Sequence, residues 1–346
     1  MKNKKSTSWT FRCTVITVLT LVAFLMTRDS RRGHFLYGRT EIPPAEAGAP
    51  QQIIDRAIER IEKLKSITAK IDLQVNIGET EIEGSGKYEE LFLKSDDSQQ
   101  RARALCYGGT SLFRLHLALS RIGDFSSENV EDNVLDIVCD KNTIWNYTSI
   151  EGEKRLTELK LSEMAAILVQ ACENQQQRES LAVNRIAFPC PLSGFPGLGG
   201  ITGTLRRLTA WFDFSDEADR VTMRGKNGSL RAWRLTGHLK AGAYGKTVEN
   251  LLGTNTGPRK KYMDQFPSVV EIYISQQFEF PYRFCYYSTP EPGSKKRRKL
   301  VTLDLTDVYE NHFSVVPENF IYTPGGLNST DVTQSYIETL IPGIEF

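Results

Sequence analysis

Between Ser268 and Tyr287 the chain reads SVVEIYISQQFEFPYRFCYY, with apolar side chains on nearly every even position. Val270, Ile272, Ile274, Phe278, Phe280, Tyr282 and Phe284 share one face, and Glu271, Ser275, Gln277, Glu279 and Arg283 share the other. Period-two alternation predicts a half-buried antiparallel strand, greasy on one side and wet on the other. Its length and its central phenylalanines suit the wall of a wide apolar concavity.

Elsewhere the pattern switches between two periods. Ile53, Ile54, Ala57, Ile58, Ile61 and Leu64 form one stripe at helical spacing, with charged residues outside it. Strands are expected next: Ile71, Leu73, Val75 and Ile77 alternate with polar residues, and segments 81–94 and 100–107 continue with Gly84 and Gly86 as bend points. Phe113, Leu115, Leu117 and Leu119 alternate again. Short strands separated by turns at Asp140-Lys141-Asn142 and Glu151-Gly152-Glu153 fill 135–161. Ser162 is placed as the cap of a helix. A Pro/Gly-rich loop over 186–204 leads to a second short helix carrying Leu205, Leu208, Trp211 and Phe212. A hairpin across Gly225-Lys226-Asn227-Gly228 and a final pairing of the long strand with 300–309 complete the pattern. Together these predict an α+β fold: one large curved antiparallel sheet with helices gathered on a single face.

The amino terminus adds an address. Lys2, Lys4, Lys5 and Arg12 precede the apolar run TVITVLTLVAFLM, the pattern of an export signal. The run is short beside the about 20 residues of a membrane span. No small-x-small site follows it directly, so residues 1–26 read as a signal peptide or an uncleaved signal anchor. Residues 27–50 read as a linker and 51–346 as a single domain with a helical lid insertion at about 162–212. The expected location is exported: periplasmic or cell envelope. Cys106, Cys139, Cys172, Cys190 and Cys285 suit that compartment, either with Cys172–Cys190 as the preferred pair or as buried free thiols.

A formal net charge of +1 argues against a nucleic-acid partner. The basic run Lys295-Lys296-Arg297-Arg298-Lys299 lies between two alternating segments and reads as a hairpin tip, with anionic headgroups as its functional partner. The glycines at 194, 197, 199, 200 and 203 miss the spacing of a phosphate loop. The four histidines are scattered, so no metal site and no cofactor are expected. Asp304/Asp307 and Asp216/Asp219 read as surface charge, and no nucleophile–base arrangement is visible, so no catalytic residue is assigned.

Two short motifs add a resemblance. Asp140 to Tyr147, DKNTIWNY, resembles the Asp-Gly-x-x-x-Trp-x-Tyr hairpin of the LolA-like lipoprotein-carrier superfamily, without its glycine. Phe320 to Asp331 resembles that family's terminal Phe-x-x-x-Pro-x-Gly-x-x-x-x-Asp pattern. The resemblance implies a half-open β-barrel wrapped around helices, with an apolar cavity for the acyl chains of lipids or lipoproteins. No arginine matches the carriers' gating arginine by motif, so none is carried over. On this reading Leu73, Val75, Trp145, Ile274, Phe278 and Phe280 are the candidate cavity residues, and Leu192, Phe195, Leu198 and Trp211 belong to the lid. The partners are then a lipid or acylated protein, and the membrane through the amino-terminal segment. The alternative is a membrane-anchored envelope sensor or scaffold whose cavity is filled by its own side chains.

Overall fold

The computed structural model describes residues 49–77, 80–93, 111–122, 125–126, 133–140, 142–150, 152–171, 200–214, 216–225, 228–240, 267–288 and 297–340. Helix α1 (Pro50–Glu62) opens the fold, and its predicted stripe is the buried one: Ile53, Ile54, Ala57, Ile58 and Ile61. Strands β1 (Ser66–Ile77), β2 (Thr80–Phe92) and β3 (Ser111–Ile122) follow, with the two-residue β4 (Phe125–Ser126) against β3. Then come β5 (Val134–Cys139), β6 (Thr143–Ile150), β7 (Glu153–Lys160), helix α2 (Leu161–Ala171) and helix α3 (Gly200–Trp211). The remainder is β8 (Phe212–Asp213), β9 (Asp219–Gly225), β10 (Gly228–Leu239), β11 (Pro267–Ser275), β12 (Pro281–Ser288), β13 (Lys299–Glu310), a 3-10 turn at Pro317–Phe320, β14 (Thr330–Asp331) and helix α4 (Thr333–Leu340).

All fourteen strands belong to one open sheet, in the path β14-β7-β6-β5-β3-β2-β1-β13-β12-β11-β10-β8, with β4 and β9 attached to the side. Every pairing is antiparallel except β14 with β7, which makes the sheet mixed. The pairing β1–β13 joins the two ends of the chain's strand sequence, so the amino-terminal and carboxy-terminal meanders form one surface. Among the described residues no helix is long and apolar enough to cross a membrane.

Three expectations change. The continuous strand 268–287 is a hairpin: β11 stops at Ser275 and β12 starts at Pro281. Ser275 Oγ accepts from the Gln277 and Phe278 amides, and Ser275 O accepts from the Glu279 amide. Glu279 takes a left-handed φ of 46°. Both halves alternate in the same phase, so the turn is hidden from a period-two reading. The loop assigned to 186–204 gives way to helix by Gly200, because Ile201, Leu205 and Leu208 bury a stripe that outweighs the cost of an interior glycine, about 1 kcal/mol. Asp304 and Asp307 are buried, not surface charge; Asp304 faces the Arg283 guanidinium and Asp307 pairs with Lys70 at 2.7 Å. Asp216 and Asp219 do stay at the surface, partnered by His238 and Arg234.

Smaller adjustments follow the same logic. Ser162 lies inside α2, which already begins at Leu161, whose amide donates to Asn142 O. Gly84 sits at a register shift between β2 and β3, as a bend point would. Gly86 has a different reason: a Cβ there would stand 1.8 Å from His116 O of the neighbouring strand. The Asp140 turn forms as expected, with Asp140 Oδ1 accepting from the Asn142 and Thr143 amides at 2.7 Å. The segment 100–107 and the Cys172–Cys190 pair lie outside the described residues. Cys139 and Cys285 are both free and buried.

Candidate apolar binding site

One face of the sheet carries unbroken apolar rows across the strands. The longest runs Leu235–Ile272–Phe284–Leu303–Leu73–Gly84–Leu119, each residue directly opposite the next on β10, β11, β12, β13, β1, β2 and β3. Gly84 leaves the gap that Leu119 fills. A parallel row runs Gly237–Val270–Tyr286–Val301–Val75–Ile82. The apolar stripes of α1 and α3 join these rows in one continuous cluster. Arg206 of α3 pairs with Glu62 of α1 at 2.6 Å. Arg56–Glu279 and Arg60–Glu310 then fasten α1 to the β11–β12 turn and to the end of β13.

Four of the six candidate cavity residues meet in this cluster: Leu73, Val75, Ile274 and Phe280, each at most 1% exposed. Phe278 is partly buried against it. Trp145 lies elsewhere, in a second cluster with Leu112, Val138, Val315 and Phe320, where its ring stacks on Tyr322 at 5.6 Å. The reason is register: Ile144 points into the main cluster, so its neighbour Trp145 points to the opposite face. Its indole N–H donates to Asp140 Oδ2 at 3.3 Å. Of the lid candidates, Trp211 is buried in the main cluster, while Leu192, Phe195 and Leu198 lie outside the described residues.

The terminal motif acts as a strap over that second cluster. Phe320 is buried at 1% exposure, Pro324 to Leu327 forms a turn, and Gly325 and Gly326 take φ of 57° and 85°. Asp331 then accepts from the Thr333 amide and pairs with Lys160 at 2.5 Å, which seats the start of α4 beside β7. Burial works against the ionised Asp331, but these bonds outweigh it and hold the carboxyl below its usual range.

No protein-family model and no curated protein sequence matches the chain. Solved structures similar to it include a domain described as an outer membrane lipoprotein-sorting protein from Vibrio parahaemolyticus, at 8% identity and a TM-score of 0.30, covering 78% of this chain and 94% of that one. A DUF1329 family protein from Desulfovibrio piger matches at 9% identity and a TM-score of 0.30, over 79% and 98% of the two chains. A LolA superfamily protein from Nitrosomonas europaea matches at 10% identity and a TM-score of 0.25, over 80% and 99%. The superfamily named there is the one the hairpin and terminal motifs resemble. Similarity at this level carries no statement about ligand or activity.

The residue that sequence reasoning passed over is Glu90. It occupies a row that is otherwise apolar, Ile67–Glu90–Phe113–Cys139–Ile144–Leu159, and is fully buried. Its carboxylate accepts from Ser111 Oγ at 2.5 Å, Tyr88 OH at 2.7 Å and the Ile201 amide at 3.3 Å. Burial pushes its pKa up to about 7, even though all three bonds favour the charged form. Burial likewise raises the Tyr88 phenol. A signal existed: Glu89 and Glu90 are consecutive in a strand, so one of the two had to be a carboxylate on the inward face.

Proposed function

We propose that the chain is a non-enzymatic envelope protein that binds a lipid or lipoprotein acyl chain between the helices and the apolar face of the sheet, with a role in lipoprotein sorting or transport. The observation that carries this reading is the seven-strand apolar row that shares one cluster with the stripes of α1 and α3. Most small domains close a core with fewer strands; a row this wide offers an acyl chain a long apolar bed. At about 0.8 kcal/mol per buried methylene, one chain needs no charged contact to be held. Leu73, Val75, Ile274, Phe278 and Phe280 would line the bed, and Trp211 with Leu192, Phe195 and Leu198 would belong to the covering lid. The basic-flanked apolar run at residues 14–26 supports export and a membrane tether.

One observation favours the second reading, an envelope sensor or scaffold. Leu73, Val75, Ile274 and Phe280 are already buried in one cluster with the apolar stripes of α1 and α3, so the row serves equally as a plain core. The two readings separate on ligand content. The full chain is extracted from the envelope in mild detergent, and its organic extract is weighed by mass spectrometry. A stoichiometric acylated species supports binding. A folded but empty chain, with a protein partner recovered by cross-linking, overturns it in favour of the scaffold.

A further inference from the structure

We propose that docking of helix α3 onto the sheet is coupled to proton uptake by Glu90, so that acid seats the helix and rising pH loosens it. The geometry is specific. Glu90 comes from the sheet, yet one of its three bonds goes to the first turn of α3, through the Ile201 amide. Gly200 makes that approach possible in two ways. It takes a φ of 61°, and a Cβ there would lie 2.0 Å from Glu90 Oε1. A helix start and a buried carboxylate are thus fitted to each other across the interface.

Among the described residues, the groups that face Glu90 leave its charge without a counter-ion. Tyr88 lies two residues away on its own strand, Ser111 on β3 and Cys139 on β5. From α1 comes Glu62, whose like charge opposes ionisation and which is itself paired with Arg206 of α3. In the docked state the proton is therefore held until about pH 7. With the helix lifted, water reaches Glu90 and the carboxyl returns towards an ordinary value near 4.5. Below that value both states are protonated and docking is at its strongest. Between about 4.5 and 7 only the docked state keeps the proton, so docking weakens by about tenfold per pH unit. Above 7 both states are ionised and the weakened docking is constant. The whole change is at most about 300-fold, reached only if lifting the helix returns the carboxyl fully to its ordinary value.

Other ties of α3 among the described residues include the apolar contacts of Ile201, Leu205, Leu208 and Trp211, the Lys240 Nζ bond to Thr209 O, the Lys240 amide bond to Trp211 O and the Arg206–Glu62 ion pair, and Glu90→Gln leaves all of them in place. A consequence for ligand access, in which lifting α3 uncovers the apolar row, rests on the acyl-binding reading above. The docking equilibrium itself involves no ligand, so either can fail without the other.

Hydrogen exchange of the full chain between pH 5 and 8, followed by mass spectrometry and corrected for the intrinsic pH dependence of exchange, reads the equilibrium directly. Peptides from α3 are compared with peptides from β11. The expected result is loss of α3 protection as pH rises to 7, with β11 unchanged, and a flat α3 profile in Glu90→Gln. Ser111→Ala removes a bond that favours the ionised form, so its transition moves to higher pH. This variant decides the matter should Glu90→Gln fail to fold. A flat wild-type profile, an undiminished slope in Glu90→Gln, or an unmoved midpoint in Ser111→Ala would overturn the proposal.

Discussion

Arg114 grips Asp136 with two parallel hydrogen bonds across the β3–β5 pair, Nε to Oδ1 at 3.1 Å and Nη2 to Oδ2 at 2.6 Å. Asp136 is 9% exposed and His116 stands 3.8 Å away on its other side. Burial alone would raise the Asp136 carboxyl, but the bonds from His116 and Arg114 outweigh it and the net shift is downward.

Replacing Arg114 with Leu strands this carboxylate. Breaking a wholly buried pair costs about 3–5 kcal/mol. Arg114 is 35% exposed, so the expected loss is smaller, about 2 kcal/mol at pH 7, read from chemical denaturation. The sign with pH follows from the lowered carboxyl. Its stabilisation is present above the unfolded value and disappears as pH falls through the folded one. Wild type should therefore lose stability below about pH 4, while Arg114→Leu shows a flatter acid limb. Equal limbs would mean the pair contributes nothing.

Gly86→Ala should be severe for a reason unrelated to turns. The new Cβ would meet backbone, His116 O at 1.8 Å and Leu117 Cα at 2.9 Å, and neither can rotate away. Overpacking costs about 1–3 kcal/mol where side chains can adjust, and here strands must part. The expected outcome is a loss of at least about 3 kcal/mol in equilibrium unfolding. Gly84→Ala should be milder, since its nearest neighbour is the Leu119 side chain.

How much of this was legible in the sequence differs by kind of residue. Element type was readable wherever one face is buried, because periods of two and 3.6 are imposed by the backbone itself. The α1 stripe, the Asp140 turn and the Gly225–Gly228 hairpin all form as their residues dictate. The break at Ser275–Pro281 was not readable, because QQFEF keeps the strand phase and the turn depends on a serine side chain and a left-handed glutamate. The buried charges were invisible for a related reason. Asp304 and Arg283 are far apart in sequence, and only the β12–β13 register sets them opposite each other. Trp145 shows that facing direction follows register even when an aromatic residue looks suited to the main core.

The two buried thiols give a direct check on register. Cys139 lies in the main cluster at 5% exposure and Cys285 on the other side of the sheet at 1%. Burial raises both thiols, Cys285 to about 11, so neither carries thiolate at neutral pH. Native protein treated with iodoacetamide at pH 8 should leave both unmodified, and denaturant should expose both to full alkylation in peptide maps. Modification of either in the native state would place it nearer the surface than this fold allows.

Phe278 and Phe280 separate ligand from core. Phe280 is 1% exposed and touches Tyr282 edge-on at 5.5 Å between centroids. Truncating it to Ala removes a fully buried ring and should cost about 3–5 kcal/mol, so its effect on ligand is confounded with folding. Phe278 is only partly buried, at the β11–β12 turn where Arg56 of α1 reaches Glu279. Phe278→Ala should cost about 1 kcal/mol and leave the melting transition cooperative. If an acyl chain lies along the row, this variant should retain measurably less extractable lipid than wild type at equal folded fraction. Unchanged lipid in Phe278→Ala, with stability lost only in Phe280→Ala, would take the turn out of the binding surface and leave both rings as core.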